Sequence, residues 1–232
     1  MIHNIFFDLD RTLWDFEKNS EATLLQLFEQ TKSVHQIPSF HKFHLTYKEI
    51  NSSLWKKYGK GKISKDELRD TRFKNTFLKF GINNPELNEF FNEEYIRISP
   101  LQKQLFPNTK ETLQSLKEEG YKMHVITNGF KEVQFTKLEN CGLIDFFEVI
   151  VSSEEVGFNK PDIRIFNYAI EQAKAINDKS LMIGDDYEVD VIGAEKCGMK
   201  AVHFAPHLKV RNAAQEGRIN DLIQLPEIIP FL

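Results

Sequence analysis

The chain has 232 residues, of which 41% are hydrophobic and 28% charged, and its 20 phenylalanines supply ample material for a buried core. This composition is typical of a folded globular protein with one large domain or two modest ones, and it excludes the disordered, collagen-like and disulfide-rich classes. The net charge of −4 offers no positive field to a nucleic-acid polymer, and no apolar run approaches the ~20 residues that span a bilayer. We therefore expect a cytoplasmic monomer or homodimer without nucleic-acid or membrane partners.

The first predicted strand, Ile2–Leu9, is followed by a long stretch that has helical periodicity only. Ser64 and Glu67 form a capping-box pattern, and Asn84 precedes a first-turn proline, so both sites are predicted to start helices. The four predicted helices are Glu17–Lys32, Ser39–Lys57, Ser64–Phe80 and Pro85–Ile98. We expect them to form an all-helical bundle inserted after the first strand.

From residue 107 onward, apolar strands alternate with helical patterns. The predicted strands are Tyr121–Thr127, Phe147–Val151, Ser180–Gly184 and Lys200–Phe204, and the predicted helices are Asn108–Glu119, Phe130–Cys141, Asp162–Ala175 and Glu188–Cys197. Asn108 with Glu111 is a further capping-box pattern, and Gly120, Gly142 and Gly198 are placed to end helices in the left-handed conformation. The pattern predicts an α/β fold: a Rossmann-like parallel sheet flanked by helices, formed by residues 1–14 and 101–232, with the helical bundle over residues 15–100.

Polar residues stand where the first two predicted strands end. Asp8 and Asp10 end the first strand, where alternation predicts that both carboxylates point the same way. Thr127, Asn128 and Gly129 end the second strand, where a hydroxyl and backbone N–H groups suit a phosphoryl oxygen. Each motif alone is equally compatible with a solvated loop or an ordinary turn.

The next two strand ends carry residues of matching chemistry. Lys160 follows the third strand, just before Pro161, and could neutralise a phosphate as a point charge. Asp185 and Asp186 follow the fourth strand, and Asp190 comes four residues after Asp186. Because the carboxyl ends of parallel strands share one sheet edge, agreement among four strand ends favours a common site.

So many carboxylates at one site require a cation, because like charges raise one another's pKa. The five acids concerned are Asp8, Asp10, Asp185, Asp186 and Asp190. Ligands that are all oxygen indicate Mg²⁺. A nucleophilic carboxylate, a metal, a lysine and a hydroxyl that converge on one point predict a phosphoryl-transfer site.

The four motifs, an apolar run before DLDRT, then VITNG, KPD and MIGDDYEVD, resemble in this order those of the haloacid dehalogenase superfamily of phosphohydrolases. The resemblance spans the whole chain and implies that the helical bundle is a cap over the active site. Residues 51–58, 126–130 and 152–157 are similar to bacterial pyrimidine 5′-nucleotidases, which dephosphorylate nucleoside monophosphates. The implied substrate is therefore a small phosphate ester, with a nucleotide favoured.

The resemblance also implies roles for single residues. Asp8 is expected to be the nucleophile that forms an aspartyl-phosphate, and Asp10 the acid/base whose backbone carbonyl also binds the metal. Asp185 is implied as a direct Mg²⁺ ligand together with these two. Thr127 and Lys160 are implied to hold the transferring phosphoryl group. Of the remaining acids, Asp190 would orient Lys160 or a water on the metal. Asp186 would contact the metal ligands rather than the metal itself.

Two questions stay open at this stage. Trp14, Trp55 and Tyr58 offer flat surfaces on which a base could stack, although packing inside the fold is the alternative for both tryptophans. Arg11 departs from the small residue common at its position, and it could face substrate, solvent or the cap.

Other functions fit parts of the pattern. A sugar-phosphate phosphatase or a phosphomutase would use the same motifs. A dehalogenase would not need Asp10 as an acid, because a halide departs without a proton. A receiver-like phospho-acceptor module also gathers aspartates, a threonine and a lysine at a parallel sheet edge. Such a module has about 120 residues and no large helical insertion.

Overall fold

The computed structural model describes residues 1–34 and 36–232. The backbone divides into two compact units, one formed by Met1–Phe16 with Lys103–Leu232 and the other by Glu17–Gln102. The roles of catalytic core and cap for these units stay a prediction. None of the helices in the described ranges is long and apolar enough to cross a membrane.

The helical unit contains four main helices close to the predicted ranges: α1 (Phe16–Gln30), α2 (Phe40–Gly59), α3 (Lys65–Leu78) and α4 (Pro85–Ile98). The predicted capping box at the start of α3 is confirmed, since Ser64 Oγ accepts from Glu67 N–H at 3.1 Å and Glu67 Oε2 accepts from Ser64 N–H at 2.7 Å. Asn84 caps α4 as predicted. Aromatic rings dominate the core of the bundle: Phe28, Phe43, Tyr47, Phe73, Phe77, Phe91 and Tyr95.

The other unit is built on one sheet of six parallel strands in the order β3-β2-β1-β4-β5-β6. The strands are β1 (Asn4–Phe7), β2 (Lys122–Thr127), β3 (Val149–Ser152), β4 (Ser180–Gly184), β5 (Lys200–Phe204) and β6 (Arg218–Ile219). The predicted fold class is confirmed. The first strand is shorter than predicted, and β6 is too short to give a sequence signal.

Helices cover both faces of this sheet: α5 (Thr109–Glu118), α6 (Lys131–Asn140), α7 (Ser153–Val156), α8 (Ile163–Gln172), α9 (Ile192–Lys196), α10 (Ala213–Glu216) and α11 (Leu225–Ile228). Side chains that alternate along β1 enter separate cores, because Ile5 and Phe7 belong to one buried cluster and Phe6 to another. The left-handed conformation predicted at Gly120, Gly142 and Gly198 is confirmed, with φ of 86°, 65° and 80°.

One predicted capping box and one predicted helix start are wrong, although α5 does begin directly after Asn108. Asn108 makes no capping bond to α5. It adopts a left-handed φ of 59° and donates from its side-chain amide to both carboxylate oxygens of Asp221, each at 2.9 Å. The helix predicted from Glu188 begins only at Ile192, because a π-helical turn, Tyr187–Val191, precedes it. Such turns often occur at functional sites.

Candidate active site

The carboxyl ends of three strands meet at the centre of the sheet. Phe7, the last residue of β1, pairs with β2 on one side and with β4 on the other. The strand order reverses at this point, and ligands of parallel α/β sheets bind in the crevice outside such a reversal. Asp8, Thr127 and Asp185 end or directly follow these strands, so the fold brings them to one place.

Lys160 joins two carboxylates inside this crevice. Its Nζ donates hydrogen bonds to Asp8 Oδ1 at 2.7 Å, to Asp190 Oδ1 at 2.7 Å and to the carbonyl of Ile126 at 2.8 Å. These three bonds use all three N–H groups of the ammonium. Burial alone would lower the pKa of Lys160, but the negative charges of Asp190 and Asp8 outweigh it and raise that pKa. Lys160 is therefore a fixed cation within the site.

The turn after β2 holds the Lys160 segment. Asn128 Oδ1 accepts from Lys160 N–H at 2.8 Å, and Asn128 Nδ2 donates to Lys160 O at 3.1 Å. Gly129 N–H donates to Thr127 Oγ1 at 3.0 Å. The Gly129 N–H is thus used inside the protein, which corrects its prediction as a donor to substrate. A substrate contact through the backbone N–H of Asn128 stays a prediction.

Three carboxylates lie close enough to share a cation. One oxygen from each of Asp8, Asp185 and Asp190 lies within 4.8 Å of the others. Burial is the main cause that raises the pKa of Asp8 to about 7 against the opposing charge of Lys160. Burial, followed by the charges of Asp8 and Asp190, raises the pKa of Asp185 to about 8. One ammonium does not neutralise three carboxylates, and a hard divalent cation with oxygen ligands fits this donor set.

The π-helical turn positions Asp190 for Lys160. The exposed carboxylate of Asp186 accepts from two backbone N–H groups of this turn, at 3.1 and 3.0 Å. Asp190 Oδ2 in turn accepts from Asp186 N–H at 3.1 Å. A Cβ atom at Gly184 would lie 2.2 Å from Asp190 Oδ2, so the close approach requires glycine there. Both oxygens of Asp190 thus have partners, Lys160 and the Asp186 N–H. Asp8 and Asp185 are therefore the carboxylates best placed to hold a metal.

Asp10 does not join the three clustered carboxylates. Its Oδ1 accepts from Lys137 Nζ at 2.5 Å, and its Oδ2 accepts from Gln134 Nε2 at 2.7 Å. Alternation from Asp8 to Asp10 does not apply, because β1 ends at Phe7 and the chain turns back at Leu9 O, which accepts from backbone N–H groups of the next residues. The Asp10 carboxylate is therefore bonded to α6, and of the two carboxylates only that of Asp8 stands in the cluster. Metal binding through the Asp10 carbonyl stays a prediction.

Sequence reasoning missed Gln134 and Lys137, which contact Asp10 from α6. Both residues are almost fully buried, at 1% and 4% exposure. They share the buried face of α6 with Leu138. Polar residues at helical spacing on an otherwise apolar face were the available signal.

Trp14 is a core residue. It is fully buried within the apolar cluster of the sheet unit, and Lys137 Nζ lies 4.1 Å from the centroid of its ring. Its ring is thus covered by protein, which corrects its prediction as a surface on which a base could stack. Arg11 adopts a φ of 70°, and its guanidinium lies 4.3 Å from the ring centroid of Phe16.

Removal of divalent cations should make the stability of the protein depend on pH. An acid whose pKa is raised by folding stabilises the folded state below its unfolded pKa near 4, and this contribution is lost as pH rises through the folded values of about 7 for Asp8 and 8 for Asp185. One pKa unit corresponds to about 1.4 kcal/mol. In EDTA we therefore expect a melting temperature at least ~3 °C lower at pH 8 than at pH 5.5.

Thermal unfolding with EDTA and with excess Mg²⁺ at both pH values measures this effect. Added Mg²⁺ should stabilise the protein more at pH 8 than at pH 5.5. Asp185→Asn should flatten the pH dependence in EDTA, whereas Asp178→Asn, at an exposed position, should retain it. An identical pH dependence in wild type and Asp185→Asn would show that the pKa of this carboxyl is not raised by folding.

Comparison with known proteins agrees with this geometry. The pyrimidine 5′-nucleotidase YjjG of Escherichia coli is 33% identical, and the match covers 88% of this chain and 86% of that protein. A glyceraldehyde 3-phosphate phosphatase of Methanothermobacter thermautotrophicus is 32% identical over 99% of this chain and 100% of its own. A crystal structure of the HAD-hydrolase YfnB from Bacillus subtilis, bound to magnesium, matches with a TM-score of 0.86 and 28% identity over 99% of both chains.

The family model described as haloacid dehalogenase-like hydrolase matches residues 5–204. This range contains the three strand ends that meet at the crevice and the segments that carry Lys160 and Asp190. The chain belongs to the haloacid dehalogenase-like hydrolases.

Proposed function

We propose that the protein is a Mg²⁺-dependent phosphatase that hydrolyses small phosphate monoesters and prefers pyrimidine nucleoside 5′-monophosphates. The observation that carries the proposal is the setting of Asp8. This carboxylate follows the central strand of the sheet, is bonded to the fixed cation Lys160 at 2.7 Å and lies beside Asp185. A buried carboxylate held by charge at a sheet crevice is suited to nucleophilic attack on phosphorus.

The reaction has two balanced halves. In the first, a carboxylate oxygen of Asp8 bonds to phosphorus, the bond from phosphorus to the leaving oxygen breaks, and Asp10 gives that oxygen a proton. In the second, water bonds to phosphorus, Asp10 takes a proton from the water, and the bond to Asp8 breaks. The products are an alcohol and inorganic phosphate, and both aspartates return to their starting states.

The surrounding groups stabilise the transferring phosphoryl group. Lys160 places a positive charge beside Asp8, and the Thr127 hydroxyl stands at the end of the neighbouring strand. Preorganised donors of this kind stabilise transition-state charge without reorganisation. A divalent cation held by Asp8 and Asp185 would balance the charge of the phosphoryl oxygens.

Phosphate esters fit this site better than organic halides do. A halide leaves without protonation, so a dehalogenase has no use for Asp10 as an acid. A phosphomutase would use the same first half-reaction and return the phosphoryl group to a substrate hydroxyl. Release of one inorganic phosphate for each ester consumed distinguishes hydrolysis from that transfer. Release over many turnovers also excludes a receiver-like module.

Selectivity for nucleotides is expected to come from residues outside the phosphate site. Trp55 and Tyr58 lie in the part of α2 that is similar to the pyrimidine 5′-nucleotidases, and their rings meet edge to face at 5.6 Å. Trp55 is partly exposed, so part of its surface is open to a flat ligand. A stacked base contributes roughly 1–3 kcal/mol, which corresponds to about 5- to 150-fold in affinity.

The substrate preference is tested by kcat/KM for uridine and thymidine monophosphates, a purine monophosphate, glucose phosphate and glyceraldehyde 3-phosphate. We expect the pyrimidine nucleotides to exceed the sugar phosphates by at least ~5-fold. Trp55→Ala should reduce that ratio. Phe90→Ala, which removes an exposed aromatic ring from α4, is the matched control and should preserve it.

The second candidate is a sugar-phosphate phosphatase, which the name of the methanogen relative favours. Higher kcat/KM for glyceraldehyde 3-phosphate, with no change of ranking in Trp55→Ala, would replace the nucleotidase proposal with this one. The phosphatase mechanism itself would be unaffected by that result.

A further inference from the structure

We propose that Lys137 and Gln134 are positioning residues that fix the Asp10 carboxylate for proton transfer, and that Gln134 couples Asp10 to the phosphoryl-binding hydroxyl of Thr127. The inference rests on the proposed function, because it takes Asp10 as the acid/base. We call Lys137 and Gln134 together the α6 clamp.

The α6 clamp holds both oxygens of Asp10. Lys137 Nζ bonds Oδ1 at 2.5 Å, and Gln134 Nε2 bonds Oδ2 at 2.7 Å. Two donors on two different oxygens fix the rotation of the carboxylate about its last side-chain bond. A group that must deliver a proton to one leaving oxygen gains from such restriction, because the reacting geometry is formed before substrate binds.

Lys137 is itself fixed on a second side. Its side chain is 5% exposed, and its ammonium lies over the face of the buried Trp14 ring at 4.1 Å from the centroid. A cation over an indole is attracted by the ring quadrupole. A buried lysine is costly unless it is paired, and its pairing here is with the second aspartate of the DLD motif.

Gln134 links two functional groups through one amide. Its Nε2 bonds both Asp10 Oδ2 and Thr127 Oγ1, at 2.7 and 3.0 Å. The opposite orientation of the amide would direct its carbonyl oxygen at a carboxylate, so this one is favoured. Thr127 Oγ1 also accepts from Gly129 N–H at 3.0 Å. With both acceptor positions used, the hydroxyl hydrogen of Thr127 is left to donate to a phosphoryl oxygen.

The glycine of the VITNG motif makes room for this amide. A Cβ atom at position 129 would lie 1.5 Å from Gln134 Nε2. Gly129 is therefore required for Gln134 to reach Asp10 and Thr127 together. The turn after β2 and the acid/base after β1 are thus connected through α6.

The test measures kcat and KM for p-nitrophenyl phosphate, whose leaving group needs little protonation, and for an unactivated alkyl phosphate. The variants are Asp10→Asn, Lys137→Met, Lys137→Arg and Gln134→Leu. Lys131→Met serves as the matched control, because Lys131 is on the same helix but pairs with Glu155 at the surface. Circular dichroism and melting temperature establish that each variant is folded.

We expect Lys137→Met to lower kcat for the alkyl phosphate by ~10- to 100-fold, a part of the 10²- to 10⁴-fold that general acid–base catalysis contributes. The loss for p-nitrophenyl phosphate should be under ~3-fold, and KM should change little for either substrate. Lys137→Arg keeps a charge and a donor and should recover most of the alkyl phosphate activity. Gln134→Leu should likewise lose more kcat for the alkyl phosphate than for p-nitrophenyl phosphate. If Lys137→Met does not fold, this variant tests the clamp in its place.

Equal losses on the two substrates, or no rescue by arginine, would overturn the clamp and leave Lys137 as a packing residue. Asp10→Asn separates this outcome from failure of the proposed function. If Asp10→Asn loses alkyl phosphate activity selectively while the clamp variants do not, only the clamp is wrong. If the wild-type protein releases phosphate from no ester, the proposed function is wrong.

Discussion

Asp8→Asn should reduce phosphate release by at least ~10⁴-fold while the protein remains folded, since loss of a catalytic nucleophile alone can cost ~10⁶-fold. An amide is a poor nucleophile toward phosphorus, and it cannot balance the charge of a bound cation. The measurement is inorganic phosphate release with the best substrate, at saturating Mg²⁺. Asp178→Asn, which changes the same atoms at an exposed position, should keep wild-type turnover.

The same variant should separate activity from stability. Asp8 is a buried carboxylate whose pKa is raised to about 7, so its replacement by a neutral amide removes an unfavourable charge at pH 8. In EDTA at that pH we expect Asp8→Asn to melt no lower than the wild-type protein. Wild-type turnover by folded Asp8→Asn would rule out the aspartyl-phosphate mechanism. A large loss of stability would instead mean that Asp8 mainly supports Lys160.

Lys160→Met should have the largest effect on stability. The variant leaves the carboxylates of Asp8 and Asp190 buried beside each other without their shared cation. Removal of one partner from a buried ion pair typically costs ~3–5 kcal/mol. We expect a loss of this size in the free energy of unfolding at pH 8, together with loss of turnover.

The destabilisation by Lys160→Met should be smaller at pH 5.5, because the pKa of Asp8 is raised to about 7 and its carboxyl is then mostly uncharged. Urea unfolding at both pH values measures it. Lys131→Met removes an exposed ion pair with Glu155 and should have little effect at either pH. A loss in Lys160→Met that is the same at both pH values would point to lost packing rather than to uncompensated charge.

The position of the candidate site could be predicted because it depends on local patterns and on one general rule for parallel sheets. Each strand is an apolar run, and each functional residue follows the end of its run. Parallel strands place those ends at one sheet edge, so Asp8, Thr127 and Asp185 are brought together without knowledge of their distances. The four helices of the bundle were predictable for the same reason, since their periodicity and caps are contained in adjacent residues.

Contacts between distant residues could not be predicted. Asn108, the residue before α5, is bonded to Asp221, which is far from it along the chain and gives no signal in the neighbouring sequence. Trp14 is near the DLD motif in sequence, but its side chain enters the core. The partners of Asp10 depend on how α6 is placed against the turn after β1, and neighbouring residues do not encode that placement.

The central position of β1 has a consequence for biosynthesis. All four residues of this strand are buried in the finished protein, and Asn4 pairs with Lys122 on one side and Ser180 on the other. At roughly 5–20 residues per second, a ribosome completes the first of these partners roughly ten seconds after β1 has been made. During that interval an apolar strand has both edges unpaired, and such edges are where nascent chains aggregate. The strand that leads into Asp8 is thus the one whose pairing partners are synthesised latest after it.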